Sequence, residues 1–349
     1  MSSLLPREGL TLEALYSPIY HTVFQPLFTR PVLYGLLRFP LLVEKWCGTP
    51  RLGYMSTLKV IGILFLLGLL DRLNKWLSRL ALNGYTKDPT WNWKKEVIVV
   101  TGGTSGIGAK LASKLSGGGS TVIILDVNPP SRMMAKNMHY YTLDITSSAD
   151  VERVADEIRQ KHGNPTVLIN NAGIGSAKLI LDQPVDATRK TFDVNILAHF
   201  ALVKQFLPAM IESNHGHIVT VASMASFMTQ AQNVDYACTK AAALAFHEGL
   251  GQELKHRYGA PKVRTTVVHP SWIRTALIER LTKSSDFNEF LLEPETVVDA
   301  ITKQLYSGYG GQIILPGRLN IFSGARGFPS WLQEFLRGGM ARTLETAGR

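Results

Sequence analysis

Glu96-Val-Ile-Val-Val-Thr101-Gly-Gly-Thr-Ser-Gly-Ile-Gly108 is the stretch from which the rest of the chain is read. Its first half is an apolar, β-branched run, the pattern of a short strand buried on both faces. Its second half is a glycine-rich turn that opens a helical run ending near Leu115. Gly102 permits the tight bend, Gly106 lets the backbone approach a pyrophosphate, and Gly108 allows close packing of helix on strand. The helix amino terminus then offers unpaired N–H groups to phosphate oxygens.

Downstream the pattern alternates strand and helix, which predicts an α/β fold with a doubly wound parallel sheet of Rossmann type. The next strand, Thr121 to Leu125, ends at Asp126, 20 residues beyond Gly106. An acid at that place accepts hydrogen bonds from both ribose hydroxyls and repels a 2′-phosphate, so NAD is favoured over NADP. Arg132 nearby keeps NADP open as a second cofactor.

The second informative stretch runs Ser223-Met-Ala-Ser-Phe-Met-Thr-Gln-Ala-Gln-Asn-Val-Asp-Tyr-Ala-Cys-Thr-Lys240. His217 to Ala222 reads as a buried strand, which puts Ser223 at its carboxyl end. After Asp235 the pattern turns helical, and Tyr236 and Lys240, four residues apart, share a helix face. A neighbouring ammonium favours the phenolate, so Lys240 is expected to lower the pKa of Tyr236 and make it a usable general base.

The glycine-rich turn together with Ser223, Tyr236 and Lys240 resembles the short-chain dehydrogenase/reductase family over about 220 residues. The resemblance implies that Ser223, Tyr236, Lys240 and Asn195 are catalytic, with Asn195 helping to hold a water near the lysine. It implies a nucleotide site made of Gly102, Ser105, Gly106, Ile107, Gly108, Asp126, Asp144, Ile145, Asn171, Ala172, Gly173, Asn195, Tyr236, Lys240, Pro270, Ile273 and Thr275. Asp144 and Ile145 would border the adenine, and Thr275 the nicotinamide amide. Between Asp126 and Asp144 the chain is short and carries Pro129 and Pro130, where family members have a fuller helix, so a more open adenosine edge is expected. Ser271 stands where the family usually has glycine. Residues 276–292 correspond to the substrate lid, although their apolar content would equally suit packing on the sheet. His217-Ile-Val-Thr-Val-Ala-Ser223 and Phe246-His-Glu-Gly-Leu250 look like the membrane-associated branch acting on retinoids, 17β-hydroxysteroids and other lipophilic alcohols.

Charge separates the core from its flanks. The 349 residues carry a net charge of +10. Residues 1–95 have 12 Lys and Arg against 5 Asp and Glu, residues 317–349 have 5 against 2, and residues 96–316 are balanced at 20 against 20. A neutral core without a basic stripe excludes a nucleic-acid groove, and basic flanks beside apolar segments point to a membrane surface. Two cysteines, Cys47 and Cys238, write no disulfide framework, and no histidine spacing predicts a metal. Ser223 lacks the flanking glycines of a hydrolase elbow.

Residues 1–93 read as a hydrophobic membrane-anchoring region and linker. Pro26, Pro31 and Pro40 would interrupt any long helix. Val60 to Leu70 is uninterrupted but shorter than the roughly 20 residues a span needs, and Lys59 would have to snorkel to extend it. Leu70, Leu73, Leu77 and Leu80 then recur at helical spacing beside Arg72, Lys75 and Arg79, a pattern suited to a membrane interface. Tyr85 to Trp93 is expected to be the linker, 94–316 the dehydrogenase domain, and 317–349 an apolar and basic tail.

The sequence therefore predicts an NAD(P)-dependent oxidoreductase interconverting a lipophilic alcohol and its carbonyl compound. The alternatives are an NADPH-dependent carbonyl reductase and a catalytically silent, membrane-tethered nucleotide-binding scaffold. Its expected partners are a lipophilic small molecule, a membrane or lipid-droplet surface, and a second copy in a homodimer, with no nucleic acid. The expected location is the endoplasmic reticulum or a lipid droplet, with the catalytic domain facing the cytosol.

Overall fold

Val97–Thr101 forms β1, and every residue of it is buried because helices cover both faces of the sheet. Its side chains alternate. Ile98 and Val100 enter one core layer, Val97 and Val99 the other. The computed structural model describes residues 7–9, 12–41, 51–283, 287, 289–341, 343 and 344. Cys47 lies outside them. The chain divides into two units, Met1–Ala81 and Leu82–Arg349.

In the second unit, β1 is joined by β2 (Thr121–Asp126), β3 (Met138–Thr142), β4 (Val167–Asn170), β5 (Gly216–Val221), β6 (Val263–Pro270) and β7 (Gly311–Leu315). They form one seven-stranded sheet in the order β3-β2-β1-β4-β5-β6-β7, parallel throughout. Strand order reverses between β1 and β4, and the carboxyl ends of those two strands border the crevice where such sheets hold ligands.

Among the described residues of the first unit, the helices α1 (Leu12–Val23), α2 (Pro26–Arg38) and α3 (Arg51–Leu82) pack together. Pro26 occupies the first turn of α2, where no N–H is needed, but Pro31 sits inside it and Pro18 inside α1. The prolines therefore keep these helices short without excluding helix. Tyr20 donates to Asp71, which also receives Lys75 at 2.9 Å, so the acid on α3 is neutralised locally. A Cβ on Gly68 would lie 2.1 Å from the carbonyl oxygen of Phe24, so only glycine admits the turn between α1 and α2 so close to α3. The apolar run and the amphipathic segment after it form one continuous helix of 32 residues. Gly53–Leu82 is long and apolar enough to cross a membrane, and Ile63, Leu66 and Leu70 are exposed along it.

Around the sheet, one layer is built by α5 (Ser148–His162), α7 (Ala198–Ser213) and α8 (Val234–His256), whose Ile158, Phe206 and Leu254 join Val99 and Leu168. The opposite layer is built by α4 (Gly106–Gly117) and α10 (Pro294–Tyr306), whose Leu111, Leu115, Ile301 and Leu305 join Ile98 and Val100. A shorter helix, α6 (Val185–Phe192), precedes α7, and α9 (Glu279–Thr282) is a single turn. Val185–Ser213 is also long and apolar, but half of its most apolar stretch is buried in this unit, as a core helix would be. Residues 127–137 connect β2 to β3 without a helix, as Pro129 and Pro130 predict, and Met133 is fully exposed there.

The expected linker is not one. Arg264, buried on β6, donates to the carbonyl oxygens of Asn83 at 2.8 Å and Thr86 at 2.9 Å, and Asn83 exchanges two hydrogen bonds with Gly310. Trp91 stacks on Trp93 and packs at a tilt against His215. His215 in turn binds Asp88 at 2.6 Å and Glu96 at 3.2 Å. This strap from Asn83 to Glu96 is part of the sheet unit, held there by its indoles and main-chain carbonyls. The tail is likewise built in. The 3₁₀ segment Gly317–Gly327 and α11 (Ser330–Gly339) pack Leu319, Phe322 and Leu336 against Phe227, Met228 and Ile314.

Candidate active site

The glycine-rich turn closes β1 onto α4 with Gly102 at φ +63 and Gly106 at φ +53, a left-handed backbone that side chains resist. A Cβ on Gly108 would meet the Gly102 carbonyl oxygen at 2.1 Å, so the third glycine is required by packing. Thr101 Oγ1 accepts from the N–H groups of Asn171 and Ala172, both at 3.0 Å, and Asn171 Nδ2 donates to the carbonyls of Thr101 and Gly102. These bonds fix the Asn171-Ala172-Gly173 turn against the glycine-rich turn. Ser105 is the N-cap of α4 and makes no capping bond. Ile107 lines the cavity described below, and a Cβ on Gly106 would face Thr275 at 3.5 Å.

Asp126 ends β2 with one oxygen accepting from Thr104 N at 3.1 Å and Thr104 Oγ1 at 2.7 Å, the other from Asn128 N at 3.0 Å. The carboxylate is thereby aimed at the turn. Asp144 is exposed and holds Thr146 through an Asx turn, which keeps its carboxyl below the ordinary range. Ile145 beside it is buried in the core. Pro270 ends β6, Ser271 N donates to the Leu315 carbonyl, and Ile273 bridges to Leu292, so serine in the usual glycine position extends the pairing instead of disturbing it. Open glycine backbone, a helix amino terminus and a carboxylate at the ribose position fit a nicotinamide dinucleotide.

Ser223 follows β5 in extended conformation, its hydroxyl accepting from Ala225 N at 3.2 Å. Tyr236 stands in the first turn of α8, anchored by Asp235 Oδ1, and its ring packs against Gly175, where a Cβ would lie 3.2 Å away. Lys240, one turn on, is buried and donates to the Val221 carbonyl at 2.8 Å, with its ammonium 5.5 Å from the centre of the Tyr236 ring. Burial lowers the Lys240 pKa to about 8. Tyr236 is half-buried as a residue but densely surrounded at its hydroxyl, and burial raises its pKa while the hydrogen bond with Ser223 pulls the other way. The expected lowering by Lys240 is therefore not what dominates here, because the ammonium is drawn to Val221 and the phenol is withdrawn from water.

Asn195 also differs from expectation. It sits fully buried in a π turn, Asp193–Leu197, between α6 and α7. Its side chain accepts from Ile174 N at 2.9 Å and donates to Ile174 O at 2.9 Å and Thr239 Oγ1 at 3.1 Å. The amide is thus committed to clamping the loop after β4 and is not free to hold a water.

One residue escaped the sequence reading. His269 on β6 is fully buried, and its Nδ1 lies 3.0 Å from the Ser223 carbonyl oxygen. Burial lowers its pKa to about 4, so the neutral ring donates that bond. Only the register of β6 against β5, which sequence spacing does not reveal, brings the two together.

Ser223, Tyr236 and Lys240 open on one cavity of about 1200 Å³. Its walls include Met224, Met228, Trp272, Ile278 and Leu281, and also Leu319, Phe322, Met340 and Leu344 from the carboxyl-terminal segment. The stretch 276–292 divides its work: Ile278 and Leu281 line the cavity, whereas Phe290 and Leu292 pack on the sheet, and 284–286 and 288 lie outside the described residues. Among the described residues no cluster of His, Cys, Asp or Glu could hold a metal.

Comparisons with known proteins all point one way. A family model described as short chain dehydrogenase matches residues 96–286. Dehydrogenase RED2 of Cochliobolus heterostrophus is 49% identical over 221 residues, 63% of this chain and 83% of the relative. Epidermal retinol dehydrogenase 2 of Mus musculus is 36% identical over 234 residues, 62% of this chain and 75% of the relative. Among solved structures, ligand-free aldohexose dehydrogenase of Thermoplasma acidophilum is similar at 25% identity and TM-score 0.57, covering 65% of this chain and 94% of that one.

Proposed function

The chain belongs to the short chain dehydrogenase family and is an oxidoreductase, and from that premise we propose that it interconverts a lipophilic alcohol and its carbonyl compound with NAD(H), in association with a membrane. The observation that carries this reading is the convergence of Ser223, Tyr236 and Lys240 on one large, largely apolar cavity. A nicotinamide dinucleotide, held by the glycine-rich turn, Asn171 to Gly173, Lys240 and Thr275, supplies the hydride acceptor or donor when bound.

Tyr236 exchanges the proton of the reacting oxygen, and Ser223 hydrogen-bonds that oxygen and shares in the phenol's titration. With its pKa raised, Tyr236 is a proton donor at neutral pH, the form that serves carbonyl reduction; oxidation requires the phenolate. Lys240, lowered to about 8, keeps its charge at neutral pH and stabilises the phenolate as it forms. Because the Asn195 side chain is occupied, a proton relay through this residue would have to use its main-chain carbonyl. The carboxylate of Asp126 favours NAD by repelling a 2′-phosphate.

The membrane part of the reading is supported by Gly53–Leu82 and by the basic excess of residues 1–95, and it places the enzyme on the endoplasmic reticulum or a lipid droplet with the sheet unit on the cytosolic side. The name of the retinol dehydrogenase relative supports a retinoid-like or steroid-like substrate class. Purified full-length protein incubated with a panel of lipophilic alcohols and either NAD or NADP tests the proposal by nucleotide absorbance. Turnover with NAD is expected; no reduction of either nucleotide by any alcohol, and no oxidation by the matching carbonyls, would overturn it.

A further inference from the structure

The loop from Thr229 to Asn233, between the Phe227-Met228 core and α8, places three primary amides on the cavity wall just before Tyr236. Gln230, Gln232 and Asn233 all line the cavity that Ser223 and Tyr236 share. Asn233 makes no capping bond to α8, and among the described residues none of the three amide groups is hydrogen-bonded to protein. None of these amide atoms is sealed from solvent, so each can exchange a water for an oxygen of a bound molecule.

Gln232 adds an independent sign. Its φ is +61, a left-handed conformation that a long side chain rarely adopts and that costs on the order of 1 kcal/mol. The loop is fixed at both ends: Met228 N donates to Met224 O, and Asp235, just inside α8, is bound by Thr191 Oγ1 at 3.1 Å. The neighbouring position, Ala231, carries no polar group, and the strained backbone is retained at the residue that presents an amide to the cavity.

Away from the catalytic Lys240, the charged groups of the wall balance in number. Lys178 and Arg280 stand against Asp182 and Glu289, with Lys178, Arg280 and Asp182 on the exposed rim. An amide offers both a donor and an acceptor, which suits a neutral hydroxyl or ketone. Resting on the proposed alcohol chemistry, we infer that Gln230, Gln232 and Asn233 form a subsite for a second, neutral oxygen function, so that the substrate class is a lipophilic alcohol or ketone bearing two oxygens and not a single-oxygen lipid. The amides orient the reacting carbinol by holding the other oxygen, while the apolar walls take the carbon skeleton.

Full-length protein in detergent micelles, with NAD, is assayed with decanol and with decanediols whose second hydroxyl lies near to or far from the first. At least one diol should exceed decanol in kcat/KM by about tenfold or more. That ratio should collapse toward one in Gln230→Leu, Gln232→Leu and Asn233→Leu. Gln232→Gly, which relieves the left-handed backbone as it deletes the amide, guards against a folding defect and should lose the preference while raising the melting temperature. Binding of the same probes, followed by tryptophan fluorescence to which the cavity residue Trp272 contributes, separates the two ideas. Tighter binding of a diol without turnover would overturn the redox reading and keep the subsite. Turnover with ratios near one for every diol, or ratios unchanged in Gln232→Gly and the leucine variants, would overturn the subsite and keep the redox reading.

Discussion

His269 Nδ1 lies 3.0 Å from the main-chain oxygen of Ser223, and this bond joins the ends of β5 and β6 directly under the reacting hydroxyl. The ring is also tilted against Phe227, with centroids 4.5 Å apart. Replacement by leucine leaves the Ser223 carbonyl without its donor and lets the serine drift. His269→Leu should lower kcat about tenfold with KM little changed, and His269→Asn, which can still donate, should recover part of it. Because burial holds this ring neutral down to about 4, it should add no inflection near pH 6.5 to the rate profile. Such an inflection, abolished by His269→Leu, would contradict the positioning role.

Tyr236→Phe removes the titrating oxygen and almost no volume. Turnover should fall by at least about a hundredfold, with NADH fluorescence titrations unchanged. In the parent, burial keeps the phenol protonated at neutral pH, so the oxidation rate should climb with pH across the range above about 7, until loss of the Lys240 charge near 8 limits it. A rate profile flat from neutral to alkaline pH would argue against Tyr236 as the base.

Asp126→Ala tests cofactor choice. The parent should bind NAD more tightly than NADP in calorimetric titrations, and the variant should narrow the gap by about tenfold as the repulsion toward a 2′-phosphate disappears. Thr104 would also lose its acceptor, so affinity for both nucleotides should drop somewhat. A parent preferring NADP would point to Arg132.

The cluster Asp88–His215–Glu96 should make docking of the strap pH-dependent. Hydrogen bonding to Glu96 is the largest influence on His215 and raises its pKa above 6.5 against burial. Burial opposes ionisation of Glu96 and Asp88, but their bonds, to His215 and Thr166 and to Thr90 and His215 respectively, outweigh it and lower both. The histidine's contribution is therefore complete below about 6.5 and fades as pH rises through its elevated value; that of the carboxylates is complete above about 4.5 and fades as pH falls through their depressed values. Melting temperature should peak between those limits, and His215→Phe should flatten the alkaline side of the curve. An unchanged alkaline limb in the variant would exclude the cluster as its origin.

Truncation separates anchor from fold. A chain beginning at Leu82 keeps the carbonyls that Arg264 binds, whereas one beginning at Trp93 leaves a buried guanidinium without the Asn83 and Thr86 acceptors. The longer piece should be soluble and bind NAD. The shorter should melt lower by several degrees or aggregate, since each lost charged hydrogen bond costs about 1.5–3 kcal/mol. The full-length chain should sediment with membranes; its recovery in the high-speed supernatant would remove the anchor.

The sheet, the glycine-rich turn and the Ser223–Tyr236–Lys240 group were legible because local patterns determine them: apolar strands, glycines at positive φ, and a four-residue helical spacing. Tyr85 to Trp93, within the strap, reads as a linker because Pro89 and its polar neighbours look the same whether their partners are water or the sheet unit. The same limit hid His269, whose role depends on strand register, and the cavity wall from Leu319 to Leu344, whose apolar residues suit a membrane surface equally well. Asn195 is picked out by resemblance alone, and the direction in which its amide points is set by the π turn, which no local pattern announces.

In order of synthesis, the residues proposed to hold the nucleotide have all been made by Thr275, whereas the cavity wall needs Leu319, Phe322, Met340 and Leu344 as well. A growing chain therefore carries all its proposed nucleotide contacts while α10, β7 and one side of its cavity are still to come. Until the carboxyl-terminal segment docks, Met228 and Phe227 lack the cover that Leu319, Phe322 and Leu336 give them, so this is the interval in which the growing chain is most exposed to misassembly.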